Sequence, residues 1–148
     1  MARFQFRMQS VLNLKIRLEE QQKNAFAAAK KRLDDEIEKL SALYKRKEFY
    51  EEEGRRMRDD ALSVQDLIDN GTAIVRMKEY IDAQTEKVML CEQELEAERI
   101  KMVEMMQERK TYERLREKAF EQFLEDEKHE EGVINDEHNS YVYGTKEE

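Results

Sequence analysis

Residues 74–105 read IVRMKEYIDAQTEKVMLCEQELEAERIKMVEM, and the heptad spacing of their apolar side chains decides the fold. One row recurs every seven residues, and a companion row lies three positions further along. The first row is Ile74, Ile81, Val88, Leu95 and Met102, and the second begins with Met77, Gln84, Cys91, Glu98 and Met105. Apolar residues at these two positions over several heptads are typical of a coiled-coil seam. Two polar interruptions, Gln84 and Glu98, lower stability but can fix the register of the paired helices.

A less regular stripe precedes this segment. It comprises Val11, Leu14, Leu18, Ala25, Ala29, Leu33, Ile37, Leu40 and Tyr44. Between Ala25 and Leu40 fifteen residues cover about four turns, which predicts a stutter where the supercoil relaxes.

The strongest turn signal lies between the two stripes, at Asp69-Asn70-Gly71-Thr72. Asn-Gly favours positive backbone φ angles, and Thr72 can cap a following helix. We therefore predict an all-α fold, a long antiparallel two-helix coiled-coil hairpin over residues 1–131. Its first arm is predicted at about 5–68, its turn at about 69–72 and its second arm at about 73–131. The stretches 11–68 and 73–131 are each about 87 Å long at 1.5 Å per residue. After residue 131 the stripe stops, and we predict a flexible acidic tail over 132–148.

Composition agrees with a hairpin and argues against several classes of function. Of 148 residues, 42% are charged and none is Pro, so long helices are not interrupted. The net charge of −8 disfavours nucleic acid as a partner. No apolar run approaches the roughly 20 residues that span a bilayer, so we expect no direct membrane insertion. The single cysteine, Cys91, fits a cytoplasmic protein.

The sequence contains no recognisable catalytic or metal-binding motif. His129 and His138 lie nine residues apart, whereas two helical ligands of one metal are usually three or four apart. The many carboxylates are expected on solvated helix faces, where nothing separates their pKa values for acid–base work. We therefore predict a non-enzymatic protein without metal or cofactor, which acts by binding other proteins.

Both ends of the chain resemble the flagellar FliJ family. The N-terminal stretch FQFRMQSVL (residues 4–12) is similar to that family's opening pattern, with Met8 in place of the usual Leu. The returning arm contains KTYERLREK (residues 110–118) followed by Phe123, which is similar to the family's ending. With Gly71, the Tyr80-Ile81 pair and Val88, the resemblance covers most of residues 4–137.

This resemblance implies a component of the flagellar type III export apparatus. Family members form an antiparallel coiled coil like the central stalk of rotary ATPases. They bind the hexameric export ATPase and promote its ring assembly, bind the cytoplasmic domain of the membrane export gate, and contact export chaperones. The chain would then be cytoplasmic and associated with the inner face of the cell membrane through the apparatus.

The resemblance also suggests two sets of binding residues. We predict an ATPase-binding end formed by Phe4, Phe6, Met8, Val11, Leu12, Leu115 and Phe123. The gate-binding positions that match the family are Leu43, Tyr50 and Tyr80, whereas Lys39, Arg46, Gln84, Lys87 and Cys91 depart from it. Three alternatives stay open: a coiled-coil chaperone or tether of another secretion or assembly system, a parallel structural dimer, and a nucleic-acid role for Lys30-Lys31-Arg32 and for Arg55, Arg56 and Arg58.

Overall fold

The computed structural model describes residues 2–60 and 63–146, which form two long helices. Helix α1 spans Gln9–Asp59 and helix α2 spans Val64–Lys146. The helices pack against each other as a hairpin, and the described residues contain no strand. The predicted all-α fold class is confirmed.

Helix α1 ends at Asp59 and helix α2 begins at Val64, and local signals favour both of these helix ends. Arg56 and Arg58 carry positive charge in the last turn of α1, which favours its C-terminal end. Ser63 caps α2, because its Oγ accepts a hydrogen bond from the Asp66 backbone N–H at 3.2 Å. The Asp66 carboxylate in turn favours the N-terminal end of α2.

The predicted turn at residues 69–72 is wrong, because these residues lie inside α2. The Asn70 side chain does not stabilise a turn; its Nδ2 donates to the Tyr50 backbone carbonyl across the helix pair at 2.8 Å. Thr72 does not cap a helix either, since its Oγ1 donates to the Ile68 carbonyl one turn earlier at 3.0 Å. Packing against α1 therefore outweighs the weak local preference of Asn-Gly for a turn.

The predicted stop near residue 131 is also wrong, because α2 continues to Lys146. Gly132 and Gly144 weaken the helix by roughly 1 kcal/mol each relative to Ala, but they do not end it. Residues 61 and 62 of the predicted first arm, residues 147 and 148 of the predicted tail, and Met1 lie outside the described residues.

The seam predicted for α2 is confirmed. Met77, Ile81, Gln84 and Val88 are buried. The remaining seam positions predicted between residues 74 and 105 are half-buried. The α2 face that packs on α1 is therefore the one marked by its heptads.

The stutter predicted for α1 is wrong, because the positions that face α2 repeat in unbroken heptads. Those buried or half-buried positions are Leu12, Lys15, Glu19, Gln22, Phe26, Ala29, Leu33, Glu36, Leu40, Leu43, Lys47, Tyr50, Gly54 and Met57. About half are polar or glycine, so an apolar pattern does not reveal them. Leu14 and Tyr44 from the predicted stripe are instead 46% and 47% exposed.

The chain divides into two compact units. The first comprises residues 1–20 and 104–148, and the second comprises residues 21–103. Of the five buried apolar side chains among the described residues, the second unit contains Ala29, Met77, Ile81 and Val88, and the first contains Leu12.

Side-chain amides fix the register of the second unit. Three of them donate across the helix pair to a backbone carbonyl, at 2.8–3.0 Å. The pairs are Gln22 with Glu98, Gln84 with Glu36, and Asn70 with Tyr50. Their partners recur every 14 residues on each helix and in opposite chain directions, so the helices are antiparallel and in one register. Gln22 and Gln84 also bond the facing Glu98 and Glu36 carboxylates, and the bond from Gln84 is the main reason why the pKa of Glu36 lies below its usual value.

Gly54 allows α1 and α2 to approach closely beside Asn70. A Cβ atom added at Gly54 would lie 2.5 Å from Asn70 Oδ1, whereas one added at Gly71 would meet nothing within 4 Å.

Replacing a helical glycine by alanine ordinarily stabilises a helix by roughly 1 kcal/mol. Gly71→Ala should therefore raise the free energy of unfolding by about that amount. Gly54→Ala must displace the Asn70 amide from Tyr50. The free energy of unfolding of this variant should therefore be at least about 1 kcal/mol lower than that of Gly71→Ala. Urea unfolding of the two variants measures the difference, and equal stabilisation would refute the close-approach role of Gly54.

Candidate partner-binding surfaces

The N-terminal residues before α1 form one wall of an aromatic cluster. Residues 2–6 are not helical, and the Phe6 carbonyl accepts a hydrogen bond from the Gln9 N–H at 3.1 Å where α1 begins. The segment lies against α2, with the Phe4 ring centred 5.1 Å from Phe120 and 5.5 Å from Phe123. The Arg116 guanidinium lies 5.6 Å from the Phe4 ring centre, a cation–π distance. One extended segment therefore adds its aromatic side chains to those of the returning helix.

The N-terminal segment and α2 line an open groove of about 560 Å³, here called the terminal groove. Its lining residues are Arg3, Phe4, Gln5, Phe6, Arg7, Met8, Leu115, Ala119, Gln122, Phe123 and Asp126. Apolar and aromatic surface with a basic rim is typical of a protein-binding site.

Five of the seven residues predicted for the ATPase-binding end line this groove, namely Phe4, Phe6, Met8, Leu115 and Phe123. The other two, Val11 and Leu12, do not line it. Leu12 is only 4% exposed and packs inside the helix pair. Sequence reasoning did not assign Arg116 and Phe120 to this end, although their spacing from Phe123 marks one helix face.

Charged side chains hold the helices together beyond the terminal groove. Lys15 Nζ lies 2.9 Å from Glu108 Oε2, and this partner raises the pKa of Lys15. Arg109 binds both the Glu19 carboxylate on α1 and, at 2.8 Å, Glu113 on its own helix. Glu19 is 4% exposed, and its bond is the main reason why the pKa of Arg109 is raised. The first unit therefore contains a buried charge pair in its seam.

Tyr50 and Tyr80, two of the predicted gate-binding residues, line one groove in the second unit. This groove, here called the turn-side groove, has a volume of about 530 Å³. Its lining residues are Arg46, Tyr50, Asp69, Thr72, Ala73, Arg76, Met77 and Tyr80. Tyr80 is 53% exposed. The two tyrosines line one groove because α1 ends at Asp59 and α2 begins at Val64, which places Tyr50 opposite Asn70 and on the same side as Tyr80.

The remaining gate-related positions have other surroundings. Leu43 is half-buried in the seam and does not line the turn-side groove. Gln84 is buried and bonded to Glu36, so it stabilises the helix pair. Cys91 is half-buried in the seam.

A smaller groove of about 240 Å³ adjoins the turn-side groove. It shares Tyr50, Asp69 and Ala73 with it and adds Phe49, Glu53, Met57, Asp66 and Asn70. The Phe49 and Tyr50 rings are centred 5.8 Å apart, and Phe49 is 59% exposed. The exposed Phe49 ring therefore lies beside Tyr50 in this smaller groove.

Within residues 2–60 and 63–146, no three His, Cys, Asp or Glu side chains are arranged to hold a metal ion. Neither helix, over its described part, contains a stretch long and apolar enough to cross a bilayer.

Comparison with models of known families gives a match over nearly the whole chain. The model of the family described as flagellar FliJ protein matches residues 4–148. No curated protein and no solved structure matches the chain.

Proposed function

The chain belongs to the FliJ family, and from that premise we propose that it is a stalk-like coiled coil that binds the hexameric export ATPase and links it to the membrane export gate. The family is non-catalytic and has a role in flagellar protein export. In the proposed role the protein promotes assembly of the ATPase ring and contacts export chaperones. It works in the cytoplasm, at the inner face of the cell membrane. The observation that carries the proposal is the match over residues 4–148, which includes both grooves described above.

The terminal groove supports the ATPase-binding part of this proposal. It offers Phe4, Phe6 and Phe123 together with Arg3 and Arg7, and aromatic and arginine side chains dominate binding energy at protein interfaces. Leu12 supports this end from within, because it is buried near the start of α1, and Val11 is half-buried next to it.

The turn-side groove supports the gate-binding part. Tyr50 and Tyr80 are the family-matching residues, and they line the same surface. Leu43 contributes by positioning α1 along the seam. The two binding surfaces lie in different units, so one protein chain can carry both contacts.

A chaperone or tether of another secretion or assembly system is the second candidate. An exposed aromatic groove on a helix pair also suits the binding of such clients. Capture of the export ATPase distinguishes the two functions, because a protein of another system has no affinity for it.

The test measures ATP hydrolysis and ring formation of the cognate export ATPase with and without this protein. We expect the hydrolysis rate to rise several-fold and hexamers to form at a lower ATPase concentration, since ring-bound stalk stabilises the assembled state by mass action. Analytical ultracentrifugation follows the rings, and the gate's cytoplasmic domain is tested for binding in parallel. Unchanged hydrolysis and unchanged ring formation would contradict the proposal.

A further inference from the structure

We propose that the turn-side groove recognises a carboxylate-bearing segment of the gate's cytoplasmic domain through Arg46 and Arg76. This inference rests on the gate-binding role proposed above and adds the chemistry of the partner. The partner segment carries Asp or Glu side chains next to an apolar or aromatic residue.

The first support is that both guanidinium groups lie in one groove without partners of their own. Arg46 comes from α1 and Arg76 from α2, and both line the turn-side groove. Among the residues that the structure describes, neither makes a hydrogen bond or an ion pair. By contrast, the arginines at 99, 109 and 116 all bond a side chain within the chain. Two free guanidiniums on facing helices are therefore available to a ligand.

The charge balance of the groove also favours an anionic partner. Asp69 is the single carboxylate in the lining, against two arginines. Its Oδ1 already accepts a hydrogen bond from Gln65 Nε2 at 3.0 Å. A carboxylate entering the groove therefore meets a lining with net positive charge.

The chemistry of the lining selects carboxylates with an apolar neighbour. A guanidinium binds a carboxylate through two parallel hydrogen bonds, which fixes orientation as well as charge. Tyr50 and Tyr80 provide ring surface in the same groove for an apolar or aromatic side chain.

The test measures the dissociation constant between the full-length protein and the gate's cytoplasmic domain by isothermal titration calorimetry. Arg46→Glu/Arg76→Glu is expected to weaken binding at least about tenfold, because charge reversal repels the partner's carboxylates. The milder Arg46→Gln/Arg76→Gln is expected to weaken it less and to reduce its dependence on salt between about 0.05 and 0.5 M. Far-ultraviolet circular dichroism checks that each variant keeps its helical content.

Arg55→Glu/Arg56→Glu is the matched control. It makes the same change in charge at exposed positions outside the groove and should change affinity less than about threefold. If the wild-type protein binds the gate and both groove variants bind equally well, this inference is wrong and the gate-binding role stands. If the wild-type protein does not bind the gate, both this inference and the proposed gate-binding role are wrong. Self-association that the groove substitutions abolish would assign the groove to a second copy and would also overturn the inference.

Discussion

Deletion of residues 2–6 is expected to abolish binding to the export ATPase and to leave the helical content nearly unchanged. The deleted residues lie outside α1 but supply Arg3, Phe4 and Phe6 to the terminal groove. Binding energy at interfaces concentrates in such aromatic and arginine side chains, so their loss removes most of it. Surface plasmon resonance against the ATPase measures affinity, and circular dichroism measures helicity.

A point substitution tests the contribution of one side chain of this segment to ATPase binding. Phe4→Ala removes the ring that contacts Phe120, Phe123 and Arg116, and should weaken ATPase binding by about 2 kcal/mol, roughly thirtyfold. The control is Phe49→Ala, which removes an exposed aromatic ring from the other unit and should leave ATPase affinity unchanged. Equal effects of the two substitutions, or full binding by the deletion variant, would refute the ATPase-binding role of the terminal groove.

Arg109→Ala is expected to lower the free energy of unfolding by about 2 kcal/mol. The substitution removes the guanidinium from a Glu19 carboxylate that is 4% exposed, and a buried charge that loses a partner is costly. Urea unfolding measures the loss. Arg99→Ala is the control, because Arg99 pairs with Glu96 on an exposed face of the same helix and such pairs contribute little.

A double variant distinguishes the contribution of the charge pair to stability from the contribution of packing. Glu19→Leu/Arg109→Leu replaces both partners by apolar side chains and should recover most of the stability that Arg109→Ala loses. The Glu19 and Arg109 effects are then strongly non-additive, as expected for residues in direct contact. A loss after Arg109→Ala no larger than that after Arg99→Ala would show that this pair does not stabilise the seam.

The two helices differ in how far their packing faces could be predicted. In α2 the seam contains the buried apolar residues Met77, Ile81 and Val88, so hydrophobic periodicity identified it. In α1 the matching positions include Glu19, Gln22 and Glu36, which look like solvent-exposed residues in a sequence. They are seam residues because Arg109, Glu98 and Gln84 face them and satisfy their polar groups.

The binding surfaces were predicted to different degrees for a related reason. Phe4, Phe6 and Phe123 could be predicted because they lie in the two stretches that resemble the ends of the FliJ family. The association of Tyr50 with Tyr80, and the presence of Arg46 and Arg76 beside them, depended on where the chain reverses. The position of this reversal in the sequence could not be derived from local turn preference.

By itself, the sequence determined that this protein is two long helices that pair through heptads, because periodicity and the absence of proline are local properties of the chain. Tertiary structure alone decided the turn position, the polar half of the seam and the extension of α2 to Lys146. Asn70 shows the physical reason. Next to Gly71 its local preference is for a turn, yet a 2.8 Å hydrogen bond to Tyr50, beside a glycine that leaves it room, keeps it within a helix. A residue's partner across the interface decides between structures whose local energies differ by only about 1 kcal/mol.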